Sequence, residues 1–242
     1  MQHGSLAVAV RRGRGDAPLV VAHRGAWDSS IPQNSLEAFE EAVTMGVDAI
    51  ELDVRRTADG RLVVVHDARI GGRPVGKLEH EQLRARMKRG QAPGLEDVLE
   101  VTAGRIGVDV ELKADGYVEQ AMAIVNRRLA PDEYVVTSFR DSVLPAVKRA
   151  APEARTGLLL RPGRLIGELE RRVSAAEVDF LAPHARLARA GLLGWAAARE
   201  LPSWVWTVNE RRALRVQLED PRVAAVITDR PRRALQTAQR SA

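Results

Sequence analysis

The sequence predicts a single (β/α)8 TIM barrel, and three observations carry that expectation. Strand-like apolar runs alternate with amphipathic helical runs along the chain, the pattern of a parallel sheet with crossover helices. Nine strand candidates reduce to eight once RLVVVH is read as the second arm of a β-hairpin. The length of 242 residues suits one such barrel, and a hydrophobic content of 45% supplies its core. A doubly wound open sheet is the competing arrangement, but no Gly-rich phosphate loop follows the first strand.

Each element has its own signal. PLVVAH (18–23) is the first strand, followed by a loop to about Asn34. Within SLEAFEEAVTMG (35–46), Leu36, Phe39, Ala42 and Val43 fall at helical spacing, with Ser35 or Asn34 as cap and Gly46 as stop. DAIELDV (48–54) and RLVVVH (61–66) flank Asp59-Gly60, a pair that tolerates the positive φ of tight hairpin turns. Residues 68–104 read as a short irregular insertion, with helical LEHEQLRARM and GLEDVLEVT. The alternation then resumes with strands at 107–112, 134–139, 156–160, 179–183, 204–208 and 224–228, each followed by a helical run. One domain is expected over 18–242, with residues 1–17 as a disordered tail.

Composition removes several function classes. Without cysteine the chain forms neither disulfides nor thiolate metal sites. No apolar run approaches the roughly 20 residues of a membrane span. LAVAV precedes RRGRG, the reverse of the charge order in a secretory signal. These features predict a cytoplasmic protein with no transmembrane segment. The net charge of +5 invites a nucleic-acid reading, but only four of the 37 basic residues are Lys (77, 88, 113, 148) and Arg is scattered. No interleaving of basic and aromatic residues offers bases a stacking platform, so no specific nucleic-acid partner is expected.

Barrel chemistry sits at the C-terminal ends of the strands. Polar residues recur there: His23-Arg24, Glu51 and Asp53, Glu111 and Lys113, Thr137-Ser138, Thr207 to Asn209, and Thr228-Asp229. With Asp59-Gly60 as a two-residue loop, Ala58 pairs with Arg61, which sets Asp53 opposite His66 and leaves Glu51 on the same face. A three-residue loop would shift this pairing by one. An ordinary half-exposed hairpin would send these charges to water, whereas polar residues at so many strand ends point to one convergent site.

Inward carboxylates are costly unless a cation or hydrogen bonds compensate them. Glu51, Asp53 and Glu111 form an oxygen-only donor set that suits Mg²⁺ or Ca²⁺; the alternative is that the two glutamates pair with Arg or Lys neighbours. His23 and His66 end strands beside the acids and suit acid–base chemistry on an anionic substrate, with Arg24 and Lys113 as phosphate contacts. His3 falls in the tail, His80 in an exposed helical stretch, and His184 just after a strand.

HRG at 23–25, PQNSLEAFEEAVTMG, ELDVRRTADGRLVVVHD, VELK, SF, WTVN and AAVITDRP resemble, in that order, the glycerophosphodiester phosphodiesterase family. The likeness runs from about Leu19 to Pro231. It implies a TIM barrel that hydrolyses glycerophosphodiesters to glycerol 3-phosphate and an alcohol, usually with a divalent metal. By motif it implies His23 and His66 as the acid–base pair, Glu51, Asp53 and Glu111 as metal ligands, and Arg24 and Lys113 on the phosphate. Trp206 would stand at the pocket wall. It also implies a route through a cyclic phosphate. Two departures bear on specificity: Gln33 replaces the family's usual Glu, and HDARIGGRPVGKL lacks the RTT-containing stretch that follows HD. A small head-group diester such as glycerophosphocholine or glycerophosphoethanolamine is the expected substrate. A lysophospholipase D-type activity and a non-catalytic diester-binding protein are the alternatives.

Overall fold

In the computed structural model, which describes residues 17–87, 91–163 and 168–238, eight parallel strands close into a barrel. Strand β1 (Leu19–His23) pairs with β2 (Ala49–Arg56) on one side and with β11 (Val223–Thr228) on the other. The ring is completed through β6 (Gly107–Leu112), β7 (Tyr134–Ser138), β8 (Arg155–Leu160), β9 (Phe180–Pro183) and β10 (Ser203–Val205). The tail expected at 1–17 lies, except for Ala17, outside the described residues. Among the described residues no helix is long and apolar enough to cross a membrane.

Outer helices cover the strands. Helix α1 (Leu36–Met45) has the expected ends: the Ser35 hydroxyl accepts the Ala38 amide, and Gly46 closes the helix at φ 74°. It is followed by α2 (His80–Arg84), α3 (Leu95–Thr102), α4 (Val118–Arg128), α5 (Val143–Ala150) and α6 (Leu169–Ala176). Short α7 (Ala185–Leu187) and α8 (Leu193–Ala197) precede α9 (Arg211–Glu219) and α10 (Pro231–Thr237). Helix α3 packs between α1 and α4. It therefore serves as the outer helix after β2, and the insertion proper is the stretch before it.

Period-two alternation divides the strand residues between two cores. Ile50, Leu52, Val108, Val110 and Val136 face outward and pack with Phe39, Val98, Met122 and Val147 of the helices. Val21, Ala49, Val135, Leu159, Phe180, Ala182, Trp204, Ala225 and Ile227 fill the barrel interior. Burial on both faces explains why the strands read as nearly continuous apolar runs. Gly157 is part of that interior packing, since a Cβ there would lie 2.3 Å from the Phe180 ring.

The hairpin register corrects the sequence expectation. The second arm is β3 (Leu62–Val64), which runs antiparallel to β2. Val54 faces Val64, Arg55 faces Val63 and Arg56 faces Leu62, so the partner of Asp53 is Val65 rather than His66. The loop holds three residues. The Thr57 amide donates to the Arg61 carbonyl, the Gly60 amide returns to the Thr57 carbonyl, and Gly60 has φ 81°. A left-handed third residue is the usual geometry of a three-residue hairpin loop, and the Thr57 hydroxyl strengthens it by bonding both backbone groups of Arg61. After the hairpin, β4 (Arg69–Ile70) and β5 (Arg73–Pro74) form a small exposed ribbon where the RTT-containing stretch is missing.

Candidate active site

The inward positions of each strand continue upward into the C-terminal mouth. Two residues beyond inward Val21 comes His23; beyond Ala49 come Glu51 and Asp53; beyond Asp109 come Glu111 and Lys113. The same step leads to Phe139, Arg161, His184, Trp206 and Asp229 on the other strands. They surround a cavity of ≈ 260 Å³ lined by His23, Arg24, Glu51, His66, Asp109, Glu111, Lys113, Thr137, Phe139, Leu159, Arg161, Trp206, Thr207 and Ile227.

Strands β2 and β6 run in register with Asp53 beside Glu111, which brings three acids together. Glu51, Asp53 and Glu111 each offer a carboxylate oxygen within 4.8 Å of the others, and all three are buried. Lys113 Nζ lies 2.5 Å from Asp53 Oδ1 and 2.6 Å from Glu111 Oε2, while Arg24 Nε lies 3.2 Å from Asp53 Oδ2. Pairing with a neighbouring cation is therefore realised for Glu111. Among the described residues Glu51 makes no ion pair with a Lys or Arg side chain; its ion-pair contact is His23 Nε2 at 3.8 Å.

The titration behaviour follows from this crowding. Burial raises Glu51 well above the usual carboxylate range, helped by repulsion from Asp53 and Glu111. Burial also lifts Glu111 to about 7, against the pull of Lys113. Burial works against the charge on Asp53 as well, but Lys113 and Arg24 outweigh it and hold the carboxyl at about 2. Two buried oxygens, Glu51 Oε1 and Glu111 Oε1, have no hydrogen-bond partner. An all-oxygen donor set with unsatisfied buried oxygens and excess negative charge fits a hard divalent cation.

Arg24 sits in the left-handed region at φ 60° and is followed by Gly25 at φ 82°. This turn lets the Arg24 amide donate to both the backbone carbonyl of Glu51 (2.9 Å) and its Oε2 (3.1 Å). Only glycine fits at 25, because a Cβ would approach the Ala38 backbone to 2.8 Å. Gln33 accepts a 2.8 Å bond from Arg24 Nη1, so the departure from the usual Glu keeps an acceptor and removes a charge. Asn34 donates 2.7 Å to Asp53 Oδ2, which fixes that acid from the side opposite Lys113.

The two histidines arrive by different routes. His23 ends β1, and its Nδ1 lies 2.6 Å from Asp229 Oδ1. Asn209 donates to the other Asp229 oxygen at 2.7 Å and accepts the Asp229 amide at 2.9 Å, locking the carboxylate. With Nδ1–H donated to Asp229, Nε2 is left facing Glu51 and the cavity. His66 cannot reach the cavity through the ladder, where its parity points outward. The chain bends there instead, and the Arg55 guanidinium holds the His66 carbonyl with bonds of 3.0 and 2.8 Å. Its ring joins the cavity lining, with Nδ1 2.8 Å from Asp67 Oδ1. Partial burial lowers the His66 pKa, while Asp53 and Asp67 oppose the shift.

All eight residues expected from the sequence gather at this mouth. Trp206 forms part of the wall, edge-on to Phe139 at 5.4 Å, with its Nε1 donating to the Ala182 carbonyl. His184 packs edge-on behind it at 5.1 Å. Sequence reasoning missed Asp229 as the partner of His23, and it also missed Asn34, Asp109, Phe139 and Arg161. Counting on by two from the inward apolar residues would have found all of these except Asn34. Asp109 is fully buried, accepts from Thr137 Oγ1 at 2.8 Å, and is lifted by burial to about 8.

Comparison with known proteins places the chain in a family. The model described as the Glycerophosphoryl diester phosphodiesterase family matches residues 23–233. A Mycobacterium tuberculosis protein named "Probable glycerophosphodiester phosphodiesterase 2" is 31% identical over 235 residues, covering 88% of this chain and 87% of its own. A Caldanaerobacter subterraneus glycerophosphodiester phosphodiesterase is 32% identical over 165 residues, covering 60% of this chain and 68% of its own. The crystal structure of a glycerophosphodiester phosphodiesterase from Parabacteroides distasonis has the same fold, with a TM-score of 0.79 at 24% identity, covering 93% of this chain and 98% of its own. The chain belongs to the glycerophosphoryl diester phosphodiesterase family.

Proposed function

We propose that the protein hydrolyses small glycerophosphodiesters to glycerol 3-phosphate and an alcohol, using a divalent cation and two-histidine acid–base catalysis. The observation that carries this reading is the convergence of three buried carboxylates within 4.8 Å in the mouth that His23 and His66 also line. Glu51, Asp53 and Glu111 would hold Mg²⁺ or Ca²⁺, which supplies Lewis-acid stabilisation of charge on the phosphoryl oxygens. Arg24 and Lys113 orient the phosphate from the same side. One histidine takes the proton of the glycerol 2-hydroxyl as that oxygen attacks phosphorus. The other gives its proton to the alcohol oxygen as the second ester bond breaks. Water then opens the cyclic phosphate with the histidine roles exchanged, which restores both protonation states.

The cavity of ≈ 260 Å³ accommodates a head-group diester, and its lining is dominated by charged and polar side chains, with Phe139, Leu159, Trp206 and Ile227 as the large apolar members; this supports a small diester over the lysophospholipase D-type alternative. The test is release of glycerol 3-phosphate from glycerophosphoglycerol with Mg²⁺ or Ca²⁺, with EDTA, and with His66→Ala. Turnover that requires both metal and His66 is the expected result. Turnover that survives EDTA and His66→Ala refutes the mechanism, and absence of turnover from a folded, metal-binding protein favours the non-catalytic reading.

A further inference from the structure

The mouth is chemically divided. Its lining acids, Glu51, Asp109 and Glu111, stand on β2 and β6, and the cations Arg24 and Lys113 lie beside that cluster. The second part, built from the ends of β7, β8 and β10, contributes Phe139, Leu159, Arg161 and Trp206 and no carboxylate to the lining. A phosphate placed among Arg24, Lys113, His23 and His66 therefore sends one of its two substituents across this second part.

That part carries a cation of its own. Arg161 lies two residues beyond inward Leu159, and its guanidinium carbon is 5.8 Å from the centre of the Phe139 ring. No carboxylate among the described residues pairs with it. Trp206 cannot turn to offer a hydrogen bond, because its Nε1 is held by the Ala182 carbonyl at 2.7 Å. An aromatic wall of Phe139 and Trp206 could by itself cage a quaternary ammonium group, but here the Phe139 face is already covered by a guanidinium. A second positive group would meet repulsion there and find no acid to neutralise it. A carboxylate or phosphate would find a planar donor fork whose stem is supported by the ring.

Resting on the diesterase reading, we infer that the site selects diesters whose second substituent carries an anionic group, and that Arg161 is the residue that recognises it. The choline and ethanolamine esters expected from the family resemblance are then poor substrates. The shared chemistry is an acidic terminus on a short alcohol, whether carboxylate or phosphate monoester.

The experiment compares three probes that differ in the charge of one substituent: glycerophosphoglycerol phosphate (anionic), glycerophosphoglycerol (neutral) and glycerophosphocholine (cationic). For the wild type, kcat/KM is expected to fall in that order, with about tenfold or more between the first and last, equivalent to about 1.4 kcal/mol. Arg161→Gln should collapse the ratio to within about threefold and Arg161→Glu should invert it, with thermal melting confirming that both variants fold. Binding of the three probes to the His66→Ala protein, followed by calorimetry with Ca²⁺ present, reads the same preference without turnover. If no diester is cleaved, the hydrolase reading fails while the affinity order still decides this inference. The inference is overturned if glycerophosphocholine is used or bound as well as the anionic probe, if the anionic probe does not bind, or if the ratio survives Arg161→Gln.

Discussion

Asp229→Asn probes the tautomer of His23 with little change in shape. In the wild type, Asp229 Oδ1 can only accept, so His23 must place its proton on Nδ1 and present Nε2 to the cavity. Asn209 Nδ2 donates to the other side of the same carboxylate. After substitution, the new amide oxygen is drawn toward the Asn209 donor, and its NH₂ group is turned onto His23 Nδ1. That nitrogen must then accept, so the proton moves to Nε2 and the imidazole shows the wrong face to the reaction. General acid–base groups contribute about 10²- to 10⁴-fold, so kcat is expected to fall by about 10²-fold or more with KM little changed. The assay is glycerol 3-phosphate release with metal in excess, beside thermal melting to check the fold. A second substitution sharpens the test. Asn209→Asp, combined with Asp229→Asn, supplies an acceptor that attracts the new amide NH₂ and turns its oxygen back toward His23; it also keeps the oxygen that binds the backbone amide at 229. About tenfold recovery is expected. A single variant within about threefold of wild type, or a folded double variant no faster than the single one, refutes the reasoning.

The remaining predictions concern the acid cluster. Lys113→Met removes the ammonium that lies 2.5 Å from Asp53 and 2.6 Å from Glu111, leaving buried Glu111 without its cation and Asp53 with Arg24 alone. Urea unfolding in EDTA at neutral pH should show a loss of about 3 kcal/mol, smaller at acid pH where Glu111 takes up a proton; a loss under about 1 kcal/mol contradicts the assigned pairing. In metal-free protein, Asp109 and Glu111 titrate near 8 and 7, above their unfolded values, so the stability they contribute is complete below about pH 4 and is lost as pH rises through those values. Asp53 acts in the opposite sense: held at about 2, it stabilises above about pH 4 and loses that contribution as pH falls through 2. Asp109→Asn keeps an acceptor for Thr137 and should raise the melting temperature in EDTA at about pH 8 while changing little at about pH 5. Equal effects at both pH values would remove burial as the cause.

Legibility in the sequence varied from one part of the site to another. Helix α1 was readable because its cap, apolar stripe and left-handed stop act within a few residues of one another. Glu51, Asp53, Glu111 and Lys113 were readable because alternation carries strand parity from buried apolar residues to polar ends. The hairpin register was not readable from Asp59-Gly60 alone. The Thr57 hydroxyl binds Arg61 and selects the three-residue loop, and that single residue reverses the parity beyond it. His66 reached its expected place for a different reason, a bend held by Arg55 after the ladder ends.

The sequence by itself determined the order of strands and helices, the inward face of the two acid-bearing strands, and the clustering of acids and histidines at one end of the barrel. These follow from steric periodicity and short-range hydrogen bonding, which act along the chain. Only the tertiary structure decided which of those residues touch. Barrel closure pairs β1 with β11 and brings Asp229 to within 2.6 Å of His23 across 206 positions of sequence. The pairing of β7 with β8 sets Arg161, which has no carboxylate partner among the described residues, against Phe139. No local rule specifies such contacts, because strand tilt and ring closure set them through the packing of the whole core.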